Sequence, residues 1–292
     1  MAREQAASSL ATTSVSSIVE DVSAHGQPAR TLRETWPGGK HTNYKRDHHV
    51  HRRIAPAAIP IAPGAALRGV VLAPLFRGVS LIECAQIASF ARPRSFSTRQ
   101  TVFREDDPVR SVFVISAGRV KVTQVSCGGK QVILRVDGPG SLIDGCIFSA
   151  VTRHSVTAEA LESCELLAWD IQRFQRLIRR LPVLQRNATN IVGDRLRMLE
   201  NRFRELATER VPQRLARTLI RLLSESGDPT RSVPIGLSCE DLAQMIGATL
   251  FTVSRLLCEW AGRGIIQAER KAILVESLPA LMSLADGEES SL

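Results

Sequence analysis

The hydrophobic period of this chain changes once, near Leu181-Pro182. Before that point, in RVKVTQV, Val120 and Val122 alternate with Arg119, Lys121 and Thr123, as a half-buried strand requires. After it, Val192, Leu196, Leu199, Phe203 and Leu206 follow at spacings of 4, 3, 4 and 3, the seam of a helix with one apolar stripe. A strand-rich half followed by a helical half predicts an α+β protein.

The strand half reads as an antiparallel roll over residues 75–182. CGGK (Cys127–Lys130) is a hairpin turn whose glycines can take positive φ, QVILRV is the return strand, and DGPG (Asp137–Gly140) is another turn. SVTAEA and CELLAWD supply further strands. Short strands separated by glycine turns predict an antiparallel barrel or roll. Helical signals such as SLIECAQIASFA precede them, between Phe76 and Arg99.

The seam helix, residues 183–208, carries Arg195, Arg197, Glu200 and Arg202 on its flanks. A strict repeat surrounded by polar residues predicts pairing with a second copy; packing on its own domain is the alternative. The amphipathic VPQRLARTLIRLLSES opens a C-terminal unit, residues 209–285, and 286–292 form a tail.

Residues 1–74 are unlike the rest. They hold five of the six histidines and no sustained period, which predicts a disordered basic arm. DHHVHRR (His48, His49, His51) lacks a carboxylate or cysteine frame, so a flexible basic segment is expected rather than a metal site. The patterned chain begins near Val70–Leu75, so a shorter product could start there.

A net charge of +9 favours an anionic partner, nucleic acid first and a membrane surface second. The most lipid-like run, Ile54–Leu67, is short and broken by three prolines, which excludes a membrane span. The six cysteines form no C-x-x-C pair, and with no secretion signal the expected setting is a reducing cytoplasm.

LSCEDLAQMIGATLFTVSRLLCEWAGRGII carries a helix-turn-helix pattern. Ala243, Gly247, Val253 and Leu256 meet its demands for a small residue, a turn and an apolar lock. Ser238 and Thr249 can cap the two helices, and IIQAERKAILVES reads as two wing strands. On the second helix Leu250, Phe251, Ser254, Arg255 and Cys258 point outward. Arg255 can fork onto guanine O6 and N7, and Thr249, Thr252 and Ser254 can meet phosphates or base edges. Leu250 and Phe251 can only pack on thymine methyls or on another protein. Cys258 could serve as an oxidation switch, though a passive surface thiol is the plainer reading.

The order of roll, long helix and winged helix-turn-helix resembles the Crp/Fnr superfamily of bacterial transcription regulators, from about Leu75 to Leu281. VFREDDPVRSVFVISAGRVKVTQVSCGGKQVILRVDGPG, the helix before VPQRLARTLIRLL, and LAQMIGATLFTVSRLL carry the resemblance. It implies a homodimer whose roll, of the double-stranded β-helix or jelly-roll type, senses a signal and whose winged domains bind a pseudo-palindrome in double-stranded DNA. It also implies no enzymatic activity, and RNA polymerase as a partner where binding activates. Arg255 matches the family's guanine-contacting arginine; Phe251 stands where the family usually has a glutamate.

The effector pocket departs further. In GSLIDGCIFSAVTRHSVTAEA, Asp144-Gly145 stands where the family's cyclic-nucleotide members have Gly-Glu, and His154-Ser155 where they have Arg-Ser. Leu199-Glu200 replaces the nucleotide-contacting Thr-Ser pair, and Arg153 would alternate to the other strand face. These departures disfavour a cyclic nucleotide at a pocket of Asp144, Gly145, Cys146, His154, Ser155 and Arg195. Cys84 alone cannot serve an iron–sulfur sensor. For haem, Cys146 and His154 would be the axial candidates, a small buried cysteine and a surface histidine being the plainer reading, so no cofactor is expected. Two other classes remain. A cupin-like metal-dependent enzyme would need more roll histidines than His154. A small-ligand-binding module would use Leu250 and Phe251 for protein contacts.

Overall fold

A computed structural model of the chain describes residues 63–144, 152–225, 237–269 and 272–287. The histidine cluster at 48–51, Gly145 and Cys146 lie outside the described residues.

Strands β1 (Arg92–Phe96), β2 (Thr101–Phe103), β3 (Ser111–Ala117), β4 (Val120–Val125), β5 (Gln131–Asp137), β6 (Thr157–Ala160) and β7 (Cys164–Asp170) form two antiparallel sheets, ordered β1-β7-β3 and β2-β6-β4-β5. Phe96, Ile115, Val120, Val122, Ile143 and Leu166 fill the space between them. The hairpin at CGGK is present, with Gly129 at φ 78°.

The alternation in β4 holds through Val120 and Val122, but Thr123, expected on the polar face, is buried. The register shifts between Val122 and Thr123, where Leu134 is an extra residue on β5 between Ile133, opposite Thr123, and Arg135, opposite Val122. Directly opposed residues share a face. Arg135 therefore lies on the inner face with Val122, and Ile133 on the outer face with Thr123. That outer face is covered by the C-terminal unit.

The ordered fold begins earlier than the sequence indicates. Helix α1 (Pro63–Leu72) lies within the segment expected as a disordered arm, with Val70 fully buried. Its docking on the sheet is close: a Cβ at Gly69 would sit 3.0 Å from Leu167 Cδ1 and 3.1 Å from Ser116 Oγ. A 3-10 turn (Pro74–Phe76) and α2 (Leu81–Ser89) follow, α2 being started by a capping box between Ser80 and Glu83.

In the helical half, α3 (Ile171–Arg180) runs into α4 (Pro182–Thr208), Pro182 taking the first-turn position where its missing N–H costs nothing. Buried Asn187 ties α4 to the N-terminal segment, donating from Nδ2 to the carbonyls of Leu75 and Arg77 at 2.9 and 2.7 Å. The seam residues Val192, Leu196, Leu199, Phe203 and Leu206 all lie on one exposed stripe of α4.

Past α4 come α5 (Val211–Glu225), α6 (Cys239–Ile246), α7 (Leu250–Gly262), the paired strands β8 (Ile266–Glu269) and β9 (Ala272–Val275), and α8 (Leu278–Asp286). Leu219, Leu242, Val253, Trp260 and Leu281 form their core, and Ile133 of β5 is packed into the same cluster.

Candidate DNA-binding interface

Two caps and a left-handed turn set the angle between α6 and α7. The Ser238 hydroxyl accepts from the Asp241 N–H at 3.1 Å, and the Asp241 carboxylate accepts from the Ser238 N–H at 3.1 Å. Gly247 ends α6 at φ 66°, a backbone conformation that a side chain would strain. Thr249 then caps α7, its hydroxyl accepting from the Thr252 N–H at 3.1 Å.

The inner face of α7 buries Val253, Leu256, Leu257 and Trp260. Its outer face carries Leu250, 52% exposed, and Phe251, 79% exposed, with Arg255 and Cys258 also exposed and Thr252 and Ser254 half-buried. Thr249, Leu250, Phe251, Thr252, Ser254 and Arg255 are thus gathered on the leading turns of one helix, with Thr249, Leu250, Phe251 and Arg255 open to solvent. Strands β8 and β9 form the expected wing; the Arg270-Lys271 turn between them lies outside the described residues.

Helix α6 ties the unit to the roll. Lys121 Nζ lies 3.2 Å from Glu159 Oε1 and 3.2 Å from Asp241 Oδ1, all three largely shielded from water. Burial pushes the Asp241 carboxyl up, but the Ser238 hydroxyl and the Lys121 ammonium outweigh it and hold the pKa below the ordinary aspartate value. Periodicity alone pointed to neither Lys121 nor Ile133 as a contact between the two units.

Inside the roll the pocket residues separate. His154, expected at the surface, is buried, its Nδ1 2.5 Å from Asp144 Oδ2 and its ring stacked on Phe103 with centroids 3.8 Å apart. Ser155 is exposed, and its carbonyl accepts from Gln124 Nε2 at 2.9 Å. Arg153 donates to the Asp106 carbonyl at 2.6 Å. Leu199 and Glu200 sit on the exposed side of α4.

Arg195 turns inward and donates to the Leu142 carbonyl. There it meets a pair that the sequence reading missed. Arg135 Nε donates to both carboxylate oxygens of Asp137 at 2.9 Å, and its NH2 group donates to the Ile143 carbonyl. Burial pushes the Asp137 carboxyl up, against the pull of Arg135 and Arg195. Burial likewise lowers the Arg195 pKa, helped by repulsion from Arg135. Arg135 and Asp137 are two apart on one strand, a spacing that puts both on one face and could have flagged them.

Comparison with known proteins matches two family models, a cyclic nucleotide-binding domain over residues 93–181 and a Crp-like helix-turn-helix domain over residues 213–284. The chain is 27% identical over 214 residues to the cyclic AMP receptor protein of Thermus thermophilus, covering 73% of this chain and 97% of that one. It is 28% identical over 212 residues to the CRP-like cAMP-activated global transcriptional regulator of Mycobacterium tuberculosis, covering 69% and 91%. Among solved structures, FixK2 from Bradyrhizobium japonicum shares the fold at a TM-score of 0.59 and 21% identity, over 66% of this chain and 96% of that one. No helix among the described residues is long and apolar enough to cross a membrane.

Proposed function

The chain belongs to the Crp/Fnr family of DNA-binding transcription regulators, and on that premise we propose that it works in the cytoplasm as a homodimer on a pseudo-palindromic operator, without a cyclic nucleotide as effector. The observation that carries the reading is the outer face of α7, where Arg255 and the pair Leu250 and Phe251 stand clear of the protein core. A guanidinium there reaches guanine O6 and N7 in the major groove, while the two apolar side chains pack on thymine methyls. Thr249, Thr252 and Ser254 lie where a helix N-terminus meets phosphate. The exposed α4 stripe supports the dimer. Two copies joined through it would present their α7 helices to half-sites about one helical turn apart. Where binding activates, RNA polymerase is the further partner.

Against a cyclic nucleotide stands the chemistry of the roll. Its phosphate would approach the Asp144 carboxylate, and His154 is already engaged with that carboxylate and with the Phe103 ring. Arg195 and Arg135 are likewise spent on protein carbonyls and on Asp137. Selection of bound duplexes from a random pool, with the full chain, tests the operator: a two-fold sequence should emerge, and an unselective pool overturns the reading. Calorimetric titration with cyclic AMP tests the effector; saturable heat at micromolar ligand would refute that part alone.

A further inference from the structure

A second concavity lies on the roll, between α2 and α3. It has a volume of about 390 Å³, and its walls are Ile87, Phe90, Trp169, Phe174 and Leu177. That size falls within the range of roughly 300–1,000 Å³ typical of small-molecule sites. The rings of Trp169 and Phe174 meet at 5.6 Å and are themselves almost fully buried, and the one polar atom of the Trp169 ring is satisfied by the Ile87 carbonyl at 2.9 Å, so the apolar surface open to a ligand is that of Phe90 and Leu177. Phe90 stands at the mouth, 63% exposed.

The rim is cationic. Arg173, Arg176 and Arg180, all exposed, line the same cleft, and among the described residues no carboxylate does. The carboxylates on its flanking segments are committed elsewhere: Asp170 caps α3 by accepting from the Arg173 N–H at 3.1 Å, and Glu83 closes the capping box of α2. Arg180, in the last turn of α3, suits the helix dipole. Arg173 does not, since a cation in the first turn opposes it. Helix stability therefore accounts for Arg180 but not for Arg173.

We propose that this cleft is a binding site for a small amphipathic carboxylate, its hydrocarbon body on Phe90 and Leu177, above the buried Trp169 and Phe174, and its carboxylate between Arg173 and Arg176. Charge complementarity selects an anion, and the exposed Phe90 ring beside it selects a chain or ring in place of a bare ion. The site is separate from the roll interior and from α7, so it stands or falls independently of the operator reading.

The test uses the full chain and straight-chain carboxylates below their micellar concentrations, read by calorimetry with Trp169 fluorescence as a local reporter. Octanoate, decanoate and dodecanoate should bind with affinity rising about fourfold per methylene, and decanol at least tenfold more weakly than decanoate. Arg173→Gln with Arg176→Gln should cost at least tenfold for decanoate and leave decanol unchanged, while Phe90→Ser should weaken both. Selected duplex binding by the same variants, unchanged from the parent, reports an intact fold. Equal binding of decanoate and decanol, indifference to the arginine changes, absence of saturable heat, or capture of an acidic peptide with no carboxylate binding would each overturn the proposal.

Discussion

Replacing Phe203 by serine should separate the two subunits without harming either. The five seam residues of α4 are 46, 55, 60, 73 and 53% exposed in the single chain, Phe203 the most. Fully burying such a side chain contributes about 1.5–3 kcal/mol, and most of the Phe203 surface is still to be buried, so its share is about 1.5–2 kcal/mol. A two-fold interface counts every residue twice, giving about 3–4 kcal/mol, or roughly two to three orders of magnitude in the dimer dissociation constant. Because Phe203 touches little within its own chain, the far-ultraviolet circular dichroism of Phe203→Ser should match the parent. Sedimentation equilibrium of both proteins gives the constants, and binding to a full operator against a single half-site gives the consequence. A variant that sediments with the parent's constant, or a parent that is monomeric at tens of micromolar, would refute the pairing through α4.

Arg255→Ala should relax discrimination at one guanine per half-site by about 1–3 kcal/mol, read by competition between duplexes differing at that base pair; a uniform loss across all sequences would mean phosphate binding instead. Phe251→Glu introduces a carboxylate that accepts from cytosine N4, so selection from a random pool should exchange a thymine preference for cytosine at one position, and an unchanged consensus would remove Phe251 from base contact. The acid limb of unfolding should respond to Lys121. Asp241 has a lowered folded pKa, so its contribution is fully present above the ordinary aspartate value of about 3.9 and is lost as pH falls through the folded value. Lys121→Met takes away part of that depression and should move the acid midpoint upward; a midpoint that stays put would show that the ion pair contributes nothing to docking.

The long-period features were legible because each is repeated. The 4-3-4-3 seam places α4, bounded at Pro182 and Thr208, and the turn chemistry of CGGK places the β4–β5 hairpin. The helix-turn-helix was legible for a different reason: Ser238, Gly247 and Thr249 each perform a cap or turn that few residue types can perform, so local chemistry suffices. What escaped is long-range. Nothing local in PGAALRGVVL, which carries a proline and two glycines, indicates a helix; α1 is held by Val70 and by the close approach at Gly69. Nothing local marks His154 as buried, because its partners are ten residues away at Asp144 and on another strand at Phe103. Thr123 follows the alternation correctly and is buried anyway, because a second unit covers the face that alternation marks as polar.

Three parts of the molecule meet within three residues at the bulge in β5. Strict alternation would send Ile133 and Arg135 to the same side. The extra residue, Leu134, turns Ile133 outward into the core of the C-terminal unit and leaves Arg135 inside with Asp137. The Leu134 carbonyl, released from the regular ladder, accepts from Arg202 of α4 at 2.7 Å. The signal was present in QVILRVD, where Val132, Ile133 and Leu134 form an apolar run that no single-faced strand needs. A β-bulge is the means by which one strand serves two cores, and here the two cores are those of the roll and the reader.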